Sequence, residues 1–278
     1  MEFAKVGSAS MLALGLGAVL AIVLPVGLAL FWKIRKKEPI STILIGAAAF
    51  LLFVLVLEKP IQALVITGDH PVSSFLNANP IWLALVAGLF AGVFEETGRL
   101  VAFKTVLRRR KNRETAISYG IGHGGVEVLV VLGLSYLTYL SYAVMINTGT
   151  FGTVVEQVRA QAPDQVDTLY TLAEQLSSLT LGGVGLALAE RLFAVLFHIG
   201  ASILVFYACR DRGRFWLYPL AILLHTALDF VVELAVYQVI ALPTLALEAL
   251  IAVFGILTFC GAYLLLYKKD ARPAAPSA

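Results

Sequence analysis

Seven runs of apolar residues, at about 9–32, 40–66, 80–107, 115–147, 181–209, 215–240 and 243–267, dominate the chain. A helix of about 20 apolar residues spans the hydrocarbon core of a bilayer, so the pattern predicts an all-α polytopic membrane protein with about seven transmembrane helices. Basic residues gather in alternate seams between the runs. These are Lys33, Arg35, Lys36 and Lys37, then Arg108, Arg109, Arg110, Lys111 and Arg113, then Arg210, Arg212 and Arg214, then Lys268, Lys269 and Arg272. Cytoplasmic loops carry an excess of Lys and Arg, which predicts an N-terminus outside and a cytoplasmic C-terminus.

Residues 1–270 read as a single transmembrane helical domain. The one long polar stretch, 148–180, falls on the outer side as an external amphipathic loop. Within it Val154, Val155 and Val158, then Leu169, Leu172 and Leu176, recur at helical spacing on either side of Pro163. That spacing predicts two short amphipathic helices at the interface, as a packing loop or a lid. Residues 271–278, rich in Pro, Ala and Ser, read as a disordered cytoplasmic tail. A cleaved signal peptide competes for the first run, but that run is long and only Lys5 supplies a basic flank, so retention is expected.

Composition agrees with the membrane reading. Hydrophobic residues make up 59% of 278 positions, charged residues 14%, and the mean hydropathy is +0.87, values foreign to a soluble domain of this size. The net charge of +3 is explained by the basic seams and gives no reason to invoke nucleic acid. Two cysteines, Cys209 and Cys260, suggest neither a disulfide framework nor a thiolate metal site.

Against this background the ionisable residues inside the runs stand out, because they are costly at membrane depth and mark functional sites by default. They are the Glu95-Glu96 pair and three of the four histidines, His123, His198 and His225. Counted from each helix's cytoplasmic end at about 1.5 Å per residue, Glu95 lies roughly 18 Å deep, His123 about 12 Å, His198 about 16 Å and His225 about 15 Å. Four helices thus deliver polar groups to one level, predicting one buried site in the cytoplasmic half of the membrane, with a conical cavity open to the cytoplasm.

His123 with Glu127, and His225 with Asp229, stand four apart, so each pair projects from one helical face. Neutral imidazole and carboxylate are the usual zinc ligands where cysteine is absent, and a catalytic zinc needs about three protein ligands and one position for water. His123, His198 and His225 meet that count, with Glu127 or Asp229 as an additional ligand or a hydrogen-bonding partner. Glu95 or Glu96 is then available to take a proton from water, and the chemistry predicted is metal-assisted hydrolysis. Arg99, three and four residues beyond the acidic pair, is placed to neutralise it, to keep the base charged or to stabilise an oxyanion. Gly120, Gly122, Gly124 and Gly125 around His123 permit close approach of another backbone or of an extended substrate, or serve plain helix packing. Glu190, Arg191 and Glu233 read as structural, His70 as an ordinary surface residue, and Lys104 as snorkelling to the interface.

The ordered set Glu95-Glu96-Thr97-Gly98-Arg99, Gly120 to Glu127, Glu190-Arg191 followed by His198 to Ser202, and His225-Thr226-Ala227-Leu228-Asp229 resembles the YhfC family of intramembrane metalloproteases. It is more distantly similar to the CAAX prenyl protease and bacteriocin-processing superfamily and to PrsW-type proteases. By that likeness Glu95 matches the superfamily's catalytic glutamate, Tyr119 to His123 stands for its Phe-x-x-x-His helix, and His225 to Asp229 for its last motif. Arg99 arrives one position early, and His198 matches the YhfC pattern better than the wider one. The resemblance implies a multi-pass hydrolase of a cell membrane, the bacterial cytoplasmic membrane by the family's setting, using zinc to cleave a membrane-embedded or membrane-associated protein or peptide. Two other classes use the same buried groups: a metal or proton transporter, and a non-catalytic membrane binding partner.

Overall fold

The computed structural model describes residues 3–270, so the tail 271–278 and Arg272 lie outside the described residues. Every apolar run is a helix. The helices are α1 (Ser8–Lys36), α2 (Ile40–Thr67), α3 (Pro71–Ala78), α4 (Pro80–Lys104), α5 (Glu114–Thr148), α6 (Phe151–Gln161), α7 (Val166–Ser178), α8 (Leu181–Arg210), α9 (Leu217–Val236) and α10 (Thr244–Tyr267). Seven of them are long and apolar enough to cross a membrane, and no strand occurs among the described residues. The two amphipathic helices expected around Pro163 are α6 and α7, joined by a 3₁₀ turn at Pro163–Gln165. The chain is an all-α, multi-pass membrane protein.

Two features were not expected from the apolar pattern. Segments Leu51–Glu58 of α2 and Val128–Gly133 of α5 are π-helical; such wide turns concentrate at functional sites. The short helix α3 is started by His70, whose Nδ1 accepts from the Ser73 amide at 3.1 Å while its Nε2 donates to the Leu64 carbonyl at 2.8 Å. His70 is therefore a helix cap.

Packing divides the described chain into two compact units, residues 3–25 with Val128–Arg191, and Val26–Glu127 with 192–270. In the first, Asn147 clamps the backbone of Val6 through a pair of hydrogen bonds at 2.8 and 2.9 Å, and Ser10 donates to the Leu179 carbonyl. The second carries all the candidate site residues from Glu95 to Asp229. It is built on two close helix pairs, α4 with α9 and the N-terminal halves of α2 and α5.

Glycine makes both pairs possible. A Cβ on Gly122 would collide with the carbonyl oxygen of Ile43, and one on Gly46 with that of Tyr119, so α2 and α5 each present a bare backbone to the other. Across the α4–α9 pair, a Cβ on Gly88 would lie 2.8 Å from the Phe230 nitrogen. Small residues are what allow such proximity between membrane helices. Gly122→Ala is expected to lower stability by about 3 kcal/mol, the upper end of overpacking costs because the obstacle is rigid backbone. Thermal unfolding in detergent measures it.

The basic seams meet at one end of this unit. Arg110 donates to Ser41 at the start of α2 at 2.8 Å, Arg113 to the Tyr267 and Asp270 carbonyls at the end of α10 at 3.1 and 2.7 Å, and Arg210 to the Lys111 carbonyl at 3.1 Å while pairing with Asp270 at 2.7 Å. Glu38, beside the first seam, accepts from the Thr115 hydroxyl at 2.6 Å. Burial pushes the Glu38 carboxyl above its usual value of 4.5, partly offset by that hydrogen bond and by Arg110. The folded protein therefore holds the Glu38 proton more tightly than the unfolded chain, and stability is lost as pH rises past 4.5. Glu38→Gln keeps the acceptor and removes the charge, so it should raise the melting temperature at neutral pH, with the gain vanishing below the usual carboxylate value.

Candidate metal centre

Four helices bring the predicted residues to one layer. Glu95 on α4, His123 on α5, His198 on α8 and His225 on α9 stand eight to twelve residues from the basic end of their helices, or roughly 12–18 Å at the helical rise. All four are buried, with exposures of 6, 0, 4 and 3%. The ring centroids of His123 and His198 are 5.2 Å apart, and those of His198 and His225 5.6 Å.

Glu95 is central. Its Oε2 accepts from His123 Nε2 at 2.8 Å and lies 3.8 Å from His198 Nδ1, while its Oε1 is 3.7 Å from His225 Nε2. Among the described residues, Glu95, His123 and His198 form a group whose ligand atoms all lie within 4.8 Å of one another.

One turn toward the basic end sits a fully buried layer of Arg99, Tyr119 and Ser202. The Arg99 guanidinium is spread over three partners. Nη1 donates to Glu96 at 2.8 Å, Nη2 to His198 Nδ1 at 2.6 Å, and Nε to Ser202 Oγ at 3.3 Å, whose hydroxyl in turn donates to the His198 carbonyl at 2.7 Å. Nη2 is also 3.7 Å from Glu95. Arg99 thus neutralises both carboxylates of the acidic pair and reaches across to α8 as well.

These contacts fix which imidazole nitrogen each histidine has to offer. A guanidinium can only donate, so His198 Nδ1 is an acceptor, its Nε2 carries the proton and donates it to Glu127 in a close contact, and its one lone pair is the Nδ1 pair that Arg99 occupies. His225 Nδ1 donates to Glu96 Oε1 at 2.7 Å, which turns Nε2 toward Glu95 and, at 3.6 Å, Asp229. This carboxylate–imidazole pairing is how proteins orient a metal-binding histidine. His123 Nδ1 is buried with no hydrogen-bond partner, as are Glu96 Oε2 and Tyr119 Oη. Buried polar atoms are nearly always paired with protein, water or an ion.

Charge points the same way. Glu95, Glu96, Glu127 and Asp229 converge, and Arg99 is the arginine among them. Glu95 and Glu96 are buried and the other two half-buried, and carboxylates in such excess call for further positive charge, from an imidazolium or a bound cation. Imidazole and carboxylate donors without thiolate suit zinc or a similar divalent ion, so the residues present fit a metal.

The most accessible members of the cluster lie on the side away from the basic seams. Glu127 and Asp229 sit one turn away from the basic end, with side chains 15 and 31% exposed. The layer on the basic side is closed by Arg99, Tyr119 and Ser202. The Arg99 network therefore stands between the histidines and the basic seams.

Glu58 was not singled out in the sequence. It is 1% exposed in the π segment of α2, accepts from Lys59 at 2.9 Å through Oε1, has no partner for Oε2, and lies within electrostatic reach of Glu95 and His225. A carboxylate inside the second apolar run was the available signal. Ser202 was quoted in a motif without a role, and its link to Arg99 depends on packing between residues 103 positions apart. Glu190 and Arg191 pair with each other in the other compact unit.

A family model described as YhfC intramembrane metalloprotease matches residues 20–254. The chain is 31% identical over 228 residues to "Uncharacterized membrane protein YhfC" of Bacillus subtilis (strain 168), an alignment covering 81% of this chain and 84% of that relative. No solved structure matches it.

Proposed function

Because the chain belongs to the YhfC intramembrane metalloprotease family, we propose that it is a zinc-dependent hydrolase of a cell membrane that cleaves a peptide bond in a membrane-embedded or membrane-associated protein or peptide. The observation that carries this reading is the convergence of three histidines and four carboxylates around one buried arginine, from four different helices. His123, His198 and His225 would hold the ion, His198 through the Nδ1 lone pair that Arg99 now occupies, with Glu127 and Asp229 beside it as further ligands or hydrogen-bonding partners. Zinc bound there would acidify water toward neutrality and polarise a carbonyl.

The chain's own residues do the rest. Glu95 takes a proton from the attacking water as its oxygen adds to the scissile carbonyl, and returns a proton to the departing nitrogen as the C–N bond breaks. Glu96 holds His225 by its Nδ1–H, and Arg99 holds Glu96 and His198, so two of the three imidazoles are fixed before substrate arrives. Fixed dipoles and charges in a dry site need no rearrangement during reaction. The four basic seams, gathered at one end, face the cytoplasm in this reading.

Elemental analysis of the purified protein, beside His123→Ala, His198→Ala and His225→Ala, tests it. About one zinc per chain, lost in the variants, is expected. Folded wild-type protein that binds no metal under zinc-replete conditions overturns it, and zinc flux across liposomes without hydrolysis would favour transport instead.

A further inference from the structure

A second binding feature lies away from the histidines, where the end of α8, the start of α9 and the end of α10 meet. They border an apolar groove of about 450 Å³, lined by Leu204, Leu217, Leu220, Leu224, Leu257 and Leu265 among others. Leu257 and Leu265 are 65 and 62% exposed, and Trp216, on the rim, 60%. Tryptophan at such a position marks the membrane–water boundary.

The groove ends at the basic seams. Trp216 and Leu217 follow Arg212 and Arg214 across Phe215, and Leu265 and Leu266 precede Lys268 and Lys269 across Tyr267. The two seams are fastened together by Arg210, which pairs with Asp211 at 2.9 Å and Asp270 at 2.7 Å, and by the Tyr207 hydroxyl, which donates to Asp270 at 3.0 Å. The two aspartates of this corner are thus engaged by Arg210. Arg212, Arg214, Lys268 and Lys269 are exposed, and Arg214 makes a long contact of 3.4 Å with Asp211.

We propose that this groove is a site for an anionic phospholipid of the bilayer, one acyl chain lying along the leucines and the phosphate held by Arg212, Arg214, Lys268 and Lys269. Charge complementarity selects the occupant: an apolar slot with a cluster of exposed cations at its mouth matches an amphiphile with a negative head. The site is independent of the hydrolase reading, since it shares no residue with the metal centre.

Native mass spectrometry of the purified protein titrated with dioleoyl phosphatidylglycerol or dioleoyl phosphatidylcholine tests the proposal. Wild-type protein should retain phosphatidylglycerol at least tenfold better. The combined Arg212→Ala, Arg214→Ala, Lys268→Ala and Lys269→Ala variant should lose that preference, at about fivefold per cation, and Leu257→Trp, which fills the groove, should lose both lipids. Equal retention of the two lipids by the wild type overturns the proposal, as does full phosphatidylglycerol retention in Leu257→Trp or a tightly copurifying hydrophobic peptide that lipid cannot displace. The four cations are exposed, so the charge variant reads out the site even if Leu257→Trp does not fold.

Discussion

Glu95→Gln is expected to lower hydrolysis of a membrane-embedded reporter by about a thousandfold, within the 10²–10⁴ that a positioned general base contributes. The amide keeps the size of the side chain and a carbonyl oxygen to accept from His123 Nε2, now at 2.8 Å, so folding should survive. What it loses is basicity. The decisive companion measurement is metal content, because Glu95 lies in the same 4.8 Å group as His123 and His198. Lost activity with zinc retained assigns Glu95 to proton transfer; lost zinc assigns it to the ligand shell; unchanged activity removes it from both roles.

Arg99→Met should cost about 3–5 kcal/mol, the penalty for removing one partner of a buried ion pair and leaving the other uncompensated. Methionine fills much of the space but returns none of the bonds to Glu96, His198 and Ser202. Glu96 then faces His225 alone, and His198 Nδ1 has no donor. Arg99→Lys tests geometry against charge: it restores one positive centre without the planar fork, so partial recovery of the melting temperature is expected. Full recovery would mean that charge alone matters at this position.

Much of this architecture was legible in the chain because a bilayer imposes simple rules. Length and apolarity located the seven spans to within a few residues, and the ends of α2, α5 and α8 differ by one residue from the pattern's limits. Helical rise converts position into height, which brought Glu95, His123, His198 and His225 to one level. It said nothing of azimuth, and so could not tell that His198 Nδ1 faces Arg99 or that His225 Nδ1 faces Glu96. Those are contacts between residues 99 and 129 positions apart. The carboxylate of Glu58 was legible in its run, but the π turn that carries it leaves no compositional trace. The small helix α3 was missed because eight residues are too few for periodicity to register.

The graded exposure of the cluster bears on how ions exchange with it. Metal exchanging from the accessible side of the cluster would pass Glu127 and Asp229, while Arg99 stands on the far side beneath the histidines. A negative doorway draws divalent cations inward and repels anions, an effect that grows where low-dielectric walls focus the field. A polyanionic chelator should therefore strip metal from the folded protein slowly, and an uncharged one of similar affinity quickly, with the difference shrinking as added salt screens the doorway.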